Sequence, residues 1–338
     1  MRKKLAALLL CLIAAMSLSA CGSNQQVNDP ASTPEENSTS EEDSTPEQAK
    51  VKVSVTFDAM KEFVEAVGKD KVEITTMIPA GMEAHDFEPK AQDLISLGSA
   101  QIFVYNGLGM EGWVEEAISA ADNANLITVE ASEGADVIER EESSEEHGEE
   151  EHDEDAEHEE EHEDEHHHGK YDPHLWLGLK GAQTETKNIK DALVKADPSN
   201  KDYYEQNCSD YISQLESLYN EYSGKFQSVE KKSFVTGHAA FGYLCRDFGL
   251  VQSSVSDIFA EGEPTAQQLG ELVEYCREND VTTIFAEEMV SPEISQTLAN
   301  EVGAKVEVIY TMENAQDDLT YLERMESNLS KIYDSLTM

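Results

Sequence analysis

The sequence predicts an α/β protein of two (βα)-type lobes with parallel sheets, joined by one long rigid helix. Three observations predict it. Strand-like and helix-like patterns alternate from Lys50 to Val129, and the alternation resumes from Phe234 to the C terminus. Such alternation marks parallel sheets covered by helices on both faces. Between the blocks, Lys201 to Phe226 keeps Tyr204, Tyr211, Leu215, Leu218 and Tyr222 on one helical face. A helix of that length spans roughly 39 Å at 1.5 Å per residue, enough to run along both lobes. Finally, the chain from residue 50 onward suits two domains of ordinary size.

The elements follow in order. Val51 to Phe57 (VKVSVTF) alternates as a strand, and Asp58 to Gly68 places Met60, Phe63, Val64 and Val67 on one helical face. Val72 to Ile78 reads as strand, Lys90 to Gly98 as helix, Gln101 to Tyr105 as strand, Gly112 to Ala120 as helix and Leu126 to Val129 as strand. After Asp172 to Leu177, helical sequence runs through Lys195 until Pro198 ends it. In the second block, Phe234 to Thr236, Val251 to Val255, Thr283 to Ala286 and Val306 to Tyr310 read as strands. Ala239 to Phe248, Thr265 to Glu278, Pro292 to Val302 and Leu319 to Leu336 read as the helices between and after them. Ligands of such folds sit beyond the carboxyl ends of the strands.

The N-terminal end reads as targeting sequence. Arg2, Lys3 and Lys4 precede the apolar stretch Leu5 to Met16, and Leu18-Ser19-Ala20-Cys21 follows. Residues 1–20 are therefore expected to be a secretory signal peptide. The Leu-Ser-Ala-Cys run resembles a bacterial lipobox, which implies that Cys21 becomes the lipidated first residue of the mature protein. Residues 21–49, rich in Ser, Thr, Asn, Gln, Pro and Glu, cannot bury enough apolar surface to offset ordering entropy, and read as a disordered tether. The expected organisation continues with an N-terminal lobe over 50–199, a linker helix over 200–229 and a C-terminal lobe over 230–338.

The formal charge of −46 excludes whole classes of partner. It argues against nucleic acid and against electrostatic attachment to anionic headgroups, and favours cations. Seventeen of the acidic residues fall in residues 141–168. Of five cysteines, Cys11 lies in the leader and Cys21 at the anchor, leaving Cys208, Cys245 and Cys276 at wide spacings. That pattern is no disulfide framework and no zinc knuckle. Three buried thiols, or one disulfide and a leftover thiol, both remain open.

Histidine is the residue type that speaks to chemistry. Seven of the ten, His147, His152, His158, His162, His166, His167 and His168, crowd into the acidic run. The other three, His85, His174 and His238, lie at the ends of predicted elements, with His238 opening a helix. Imidazole is the commonest protein ligand for transition metals. Residue type alone leaves two readings, one metal site or three unrelated surface or core histidines.

Longer motifs decide between them. They are Pro79-Ala80-Gly81-Met82-Glu83-Ala84-His85-Asp86-Phe87-Glu88-Pro89, Tyr105-Asn106-Gly107-Leu108-Gly109-Met110-Glu111-Gly112-Trp113 and Asp172-Pro173-His174-Leu175-Trp176-Leu177. Asp197-Pro198-Ser199-Asn200 with Tyr203-Tyr204, Gly237-His238-Ala239-Ala240-Phe241-Gly242-Tyr243 and Glu263-Pro264-Thr265 follow. In this order they resemble the metal-binding lipoproteins of bacterial ABC importers for zinc and manganese, specifically the zinc-selective branch. The resemblance covers the chain from about residue 50 to its C terminus.

The resemblance implies a metal site between the lobes, with His85, His174 and His238 as ligands. A third imidazole, where the manganese branch more often has a carboxylate, favours Zn²⁺. The family's fourth ligand is a carboxylate or a water, after the last strand. Glu313 keeps that spacing, although Ile309-Tyr310-Thr311-Met312-Glu313 lacks the Asn-Pro common in relatives; Glu287 and Glu288 are the alternatives. The His- and acid-rich loop over 140–170 matches an insertion of the zinc branch and reads as a disordered, low-affinity metal collector. The implied function is capture of Zn²⁺ outside the cell and delivery to an ABC permease with its ATPase subunit, by a monomer lipid-anchored to the outer face of the membrane. No Walker A, HExxH or GxSxG sequence is evident, so the expectation is a carrier and not an enzyme. A manganese-binding homologue and a surface adhesin are the alternatives.

Overall fold

The computed structural model describes residues 49–140, 170–257, 264–288, 292–314 and 317–338. The leader, Cys21, almost all of the tether and the seven histidines of the acidic tract lie outside the described residues.

The first lobe is a four-stranded parallel sheet of β1 (Val51–Val55), β2 (Val72–Thr76), β3 (Ile102–Tyr105) and β4 (Ile127–Glu130), in the order β2-β1-β3-β4. Helices α1 (Asp58–Gly68), α2 (Ala91–Gly98) and α3 (Val114–Ala120) connect the strands. The second lobe repeats the plan with β5 (Ser233–Thr236), β6 (Val251–Ser254), β7 (Thr283–Glu287) and β8 (Lys305–Ile309), in the order β6-β5-β7-β8. Its helices are α6 (Gly242–Phe248), α7 (Ala266–Glu278) and α8 (Glu293–Val302). In each lobe the strand order reverses beside the first strand, between β1 and β3 and between β5 and β7. The crevice beyond the carboxyl ends at such a reversal is where open α/β sheets hold ligands.

Three further helices lock the lobes together. These are α4 (Leu179–Ala196), α5 (Lys201–Gln227) and α9 (Tyr321–Thr337). The 27-residue α5 buries Tyr204, Tyr211, Leu215, Tyr222 and Phe226 along its length. Near its start Asn207 donates to the Val67 carbonyl of α1 at 2.9 Å. Near its end the Phe226 ring packs 5.3 Å from that of Phe248 in the second lobe. Helix α9 returns from the second lobe onto α1, where the Tyr321 and Phe63 rings meet edge to face at 4.8 Å. One hydrophobic core therefore runs through the first lobe, along α5 and onto one face of the second sheet. A smaller cluster of Val235, Leu272, Cys276, Ile284, Leu298 and Ala299 covers the other face.

A buried ion pair adds to this junction. Arg324 of α9 is 2 % exposed and places Nη1 2.6 Å from Asp58 Oδ2 and Nε 2.9 Å from Asp317 Oδ1. The free N–H groups at the start of α1 are satisfied from the other lobe: Asp58 N donates to the Glu313 carbonyl and Ala59 N to the Met312 carbonyl. The lobes thus share hydrogen bonds as well as apolar surface.

One expectation changes, and one open alternative closes. The helix predicted from Ala239 begins at Gly242, so His238 stands in a bend instead of opening a helix. Side chains compete for its backbone: Thr236 Oγ1 and Gln252 Nε2 both donate to the His238 carbonyl, at 2.6 and 2.8 Å. Cys208, Cys245 and Cys276 are all free and buried, which closes the question of a disulfide among them. Among the described residues, no helix is long and apolar enough to cross a membrane.

Candidate metal centre

Each lobe sends two segments to one place between them. The loop after β2 carries His85, and its Gly81 adopts a φ of 89°, which a side chain would disfavour. A short antiparallel clasp, in which Glu139 pairs with Tyr171, leads into Asp172-Pro173-His174 and the tight turn Leu175–Leu177. From the second lobe, β5 ends two residues before His238, and β8 ends four before Glu313. His85, His174, His238 and Glu313 each offer one ligand atom, and these atoms lie within 4.8 Å of one another. His174, His238 and Glu313 are 0 %, 3 % and 3 % exposed, whereas His85 is half-buried and forms the accessible side.

The spacing suits a small cation. Four donors about 2.0 Å from one tetrahedral ion stand roughly 3.3 Å apart. His85 Nε2 and His174 Nε2 are 3.2 Å apart. The ring centroids of His174 and His238 are separated by 5.3 Å, and those of His85 and His238 by 6.5 Å. Both ring nitrogens of His238 and Oε1 of Glu313 are buried without a hydrogen-bond partner among the described residues. Buried polar atoms are almost always paired, so these orphans of the second lobe, facing His85 and His174 of the first, fit a divalent cation among the four residues.

The surroundings aim the donor atoms. Asp172 Oδ1 accepts from the His174 backbone N–H at 2.9 Å and lies 3.0 Å from His174 Nδ1. A proton on Nδ1, facing the carboxylate, leaves Nε2 with its lone pair toward the site. Behind His174, Asn106 Nδ2 donates to the Pro173 carbonyl at 2.8 Å, and Glu111 accepts the Asn106 N–H at 2.9 Å. Glu287 accepts the His238 N–H at 2.9 Å, while its Oε1 lies 3.3 Å from His238 Nδ1 without the alignment of a hydrogen bond. That approach needs Gly237, where a Cβ would fall 1.9 Å from Glu287 Oε2.

Glu313 is presented by an unusual loop. Met312 has a φ of 62°, in the left-handed region that favours glycine. The Glu288 carboxylate grips the turn, accepting Thr311 N at 2.9 Å and Met312 N at 3.2 Å. Two successive N–H groups around a left-handed residue make an anion-binding nest. Glu288 thus holds the loop. The two alternatives to Glu313 therefore stand behind the site, Glu287 against His238 and Glu288 against the Glu313 loop.

Charge completes the picture. Burial pushes His174 well below the ordinary imidazole range. Burial also opposes the charged form of His238, but Glu287, then Glu313 and Glu83, outweigh it and the net shift is upward. Glu313 is pushed up to about 8, first by burial and then by the Glu83 carboxylate, with His238 opposing. Burial raises Asp172 to about 7 against the pull of the His174 N–H. The metal-free site therefore holds its negative charge in check by keeping protons.

Three supporting residues escape a reading by residue type. Glu83 interacts electrostatically with Glu313 and His238, and its signal is its place in the Pro79–Pro89 motif, two residues before His85. Asp172 stands inside a recognised motif, and its place two residues before His174 is a fair hint. Asn314, next to Glu313, has no such signal.

A family model described as the periplasmic component A of the zinc-uptake complex matches residues 53–335. The high-affinity zinc uptake system protein ZnuA of Bacillus subtilis (strain 168) is 39 % identical over 292 residues, covering 85 % of this chain and 88 % of its own. The solved structure of the metal-dependent lipoprotein YcdH from Bacillus subtilis is similar at 36 % identity and a TM-score of 0.69, covering 85 % of this chain and 100 % of its own. The laminin-binding protein Lmb of Streptococcus agalactiae, described as bifunctional with adhesin and metal-transporting activity, is similar at 30 % identity and a TM-score of 0.72. That likeness covers 85 % of this chain and 99 % of Lmb.

Proposed function

The chain belongs to the family of the zinc-uptake complex component A, and from that membership we propose that it captures Zn²⁺ outside the cell and hands it to an ABC permease. One observation carries the reading: four donors from two lobes converge, and buried atoms of His238 and Glu313 have no hydrogen-bond partner among the described residues. His85, His174, His238 and Glu313 are the proposed ligands. Three imidazoles and one carboxylate suit Zn²⁺ better than Mn²⁺, which prefers oxygen donors. Zn²⁺ is cargo here, not a resident cofactor.

The donor set also bears on what happens to the ion. A hydrolytic zinc site keeps a coordination position for water and a base beside it. Four protein donors fill a tetrahedron and suit carriage. Energy for uptake would come from the permease's ATPase subunit. Residues 1–20 are proposed to be removed and Cys21 lipidated, so that the tether holds the carrier at the outer face of the membrane. The seven histidines between 147 and 168 would collect further ions weakly. The likeness to Lmb supports a second role in surface adhesion, which is compatible with transport.

Calorimetric titration with Zn²⁺ tests the proposal. One tight equivalent is expected, lost in His85→Ala, His174→Ala or His238→Ala. Removal of residues 141–168 should eliminate weak equivalents and spare the tight one. Tight binding that persisted through all three histidine changes would refute the site.

A further inference from the structure

Asn314 ties two ligand loops together across the lobe boundary. It lies next to Glu313 on the second lobe and is 4 % exposed. Its side chain reaches the first lobe: Oδ1 accepts Gly81 N at 2.8 Å, and Nδ2 donates to the Met82 carbonyl at 3.2 Å. Gly81 and Met82 belong to the loop that carries His85. A third bond runs in parallel, from Ala84 N to Glu313 Oε2, but at 3.4 Å it is long. The Asn314 amide thus makes the two shorter of these three bonds.

The two loops differ in how firmly they are held. The Glu313 loop is gripped from three sides. Glu288 accepts two of its N–H groups, Trp176 Nε1 donates to the Thr311 carbonyl at 2.7 Å, and the start of α1 donates to the Met312 and Glu313 carbonyls. The His85 loop is exposed at Ala80, Gly81, Met82, Asp86 and Glu88, and His85 is the one half-buried ligand of the four. Ala84 and Phe87 root the His85 loop in the core, with the Phe87 ring 5.4 Å from that of Trp113, and over its exposed part the Asn314 amide makes two of the three hydrogen bonds to the firmer loop.

We propose that Asn314 is a positioning residue that latches the His85 loop over the site and thereby sets how long a bound Zn²⁺ is retained. This inference rests on the proposed zinc-carrier reading. Asn314 itself touches no ion. Its removal leaves all four donors in place and weakens only the hold on the loop that carries one of them.

The size of the effect follows from exposure. Gly81 and Met82 are exposed residues and their bonds to Asn314 only partly buried, so water reaches the lost partners and each bond counts at about its net worth. Two such bonds correspond to release faster by about tenfold. Side-chain packing could produce a similar loss, so two variants of the full chain are needed. Asn314→Ala removes bonds and volume, and Asn314→Leu restores bulk without hydrogen bonding.

Dissociation of Zn²⁺ is followed by stopped flow against a chromogenic chelator, with Co²⁺ absorption reporting the donor set. Deuterium exchange is followed on the peptide carrying Gly81 and Met82. The expected result is faster release by about tenfold in both variants, an unchanged Co²⁺ spectrum and faster exchange at Gly81, also without metal. Unchanged release in both variants, or wild-type release restored by leucine, would overturn the latch. If the wild-type chain binds no zinc, the carrier reading fails, and the exchange at Gly81 still decides whether the bonds hold the loop.

Discussion

Zinc binding should expel protons, and the count can be worked from the site. In the metal-free protein Glu313 is held at about 8 by burial and by Glu83. At pH 7 such a group keeps its proton about nine-tenths of the time. His238 is shifted upward and adds a fraction of a proton. His174, pushed well down by burial, adds none. Coordination requires a bare carboxylate and neutral imidazoles, so these protons must leave. The sign follows: affinity rises with pH, because protons compete for the same atoms. A release of between about one and two protons makes affinity fall roughly ten- to a hundredfold from pH 7 to pH 6. Calorimetry at pH 7 in buffers of low and high ionisation enthalpy reads the number directly. Glu313→Gln should lower it by about one proton while still binding zinc more weakly. Equal heats in all buffers would mean that the site gives up no proton, and would refute Glu313 as a protonated ligand-in-waiting.

Three other expectations follow from the same structure. Arg324→Met strands the buried Asp58 carboxylate between the lobes and should cost about 3–5 kcal/mol, lowering the thermal midpoint by roughly 10 °C; a loss below about 1 kcal/mol in calorimetric unfolding would show that the pair does not tie the lobes. Asp172→Asn keeps an acceptor for His174 but removes its charge, and should weaken zinc binding by about tenfold, against about a hundredfold for Asp172→Ala; equal losses in a chelator competition would show that Asp172 does not aim the ring. Glu111 is raised to about 7 by burial, Glu313 to about 8, and Glu185, whose carboxylate oxygens have no hydrogen-bond partner among the described residues, well above its ordinary value. A raised carboxyl contributes stability that is full below its unfolded value and is lost as pH rises through its folded value. The metal-free protein should therefore lose stability between pH 6.5 and 8, at about 1.4 kcal/mol per pH unit for each group still protonated, and Glu185→Gln should flatten the slope. Urea midpoints that rise over that interval would contradict this.

Much of the architecture was legible because it is local. The alternation of Val51, Val53 and Val55, the helical face of Met60, Phe63, Val64 and Val67, and the long stripe from Tyr204 to Tyr222 are patterns within single segments. Boundaries fared less well where side chains from other segments intervene. The helix expected from Ala239 starts three residues later because Gln252, on the neighbouring strand, takes the His238 carbonyl and also accepts the Phe241 N–H.

The same division runs through the site. The three histidines stand out as isolated imidazoles at element ends, whereas Glu313 is singled out only by the family resemblance, which implies a fourth ligand after the last strand. The convergence of the four within 4.8 Å was not legible, since it depends on how two sheets are set against each other by α5, α9 and the Asp58–Arg324 pair. Nor were the roles behind them. Glu287 and Glu288 look alike in sequence, yet one supports His238 and the other cradles the Met312 turn. Asn314 meets Gly81 across 233 residues of chain. Residue type and order announce which atoms are able to bind a metal. Only contacts between distant segments say which of them face one another, because packing of the whole core, not any local pattern, sets those distances.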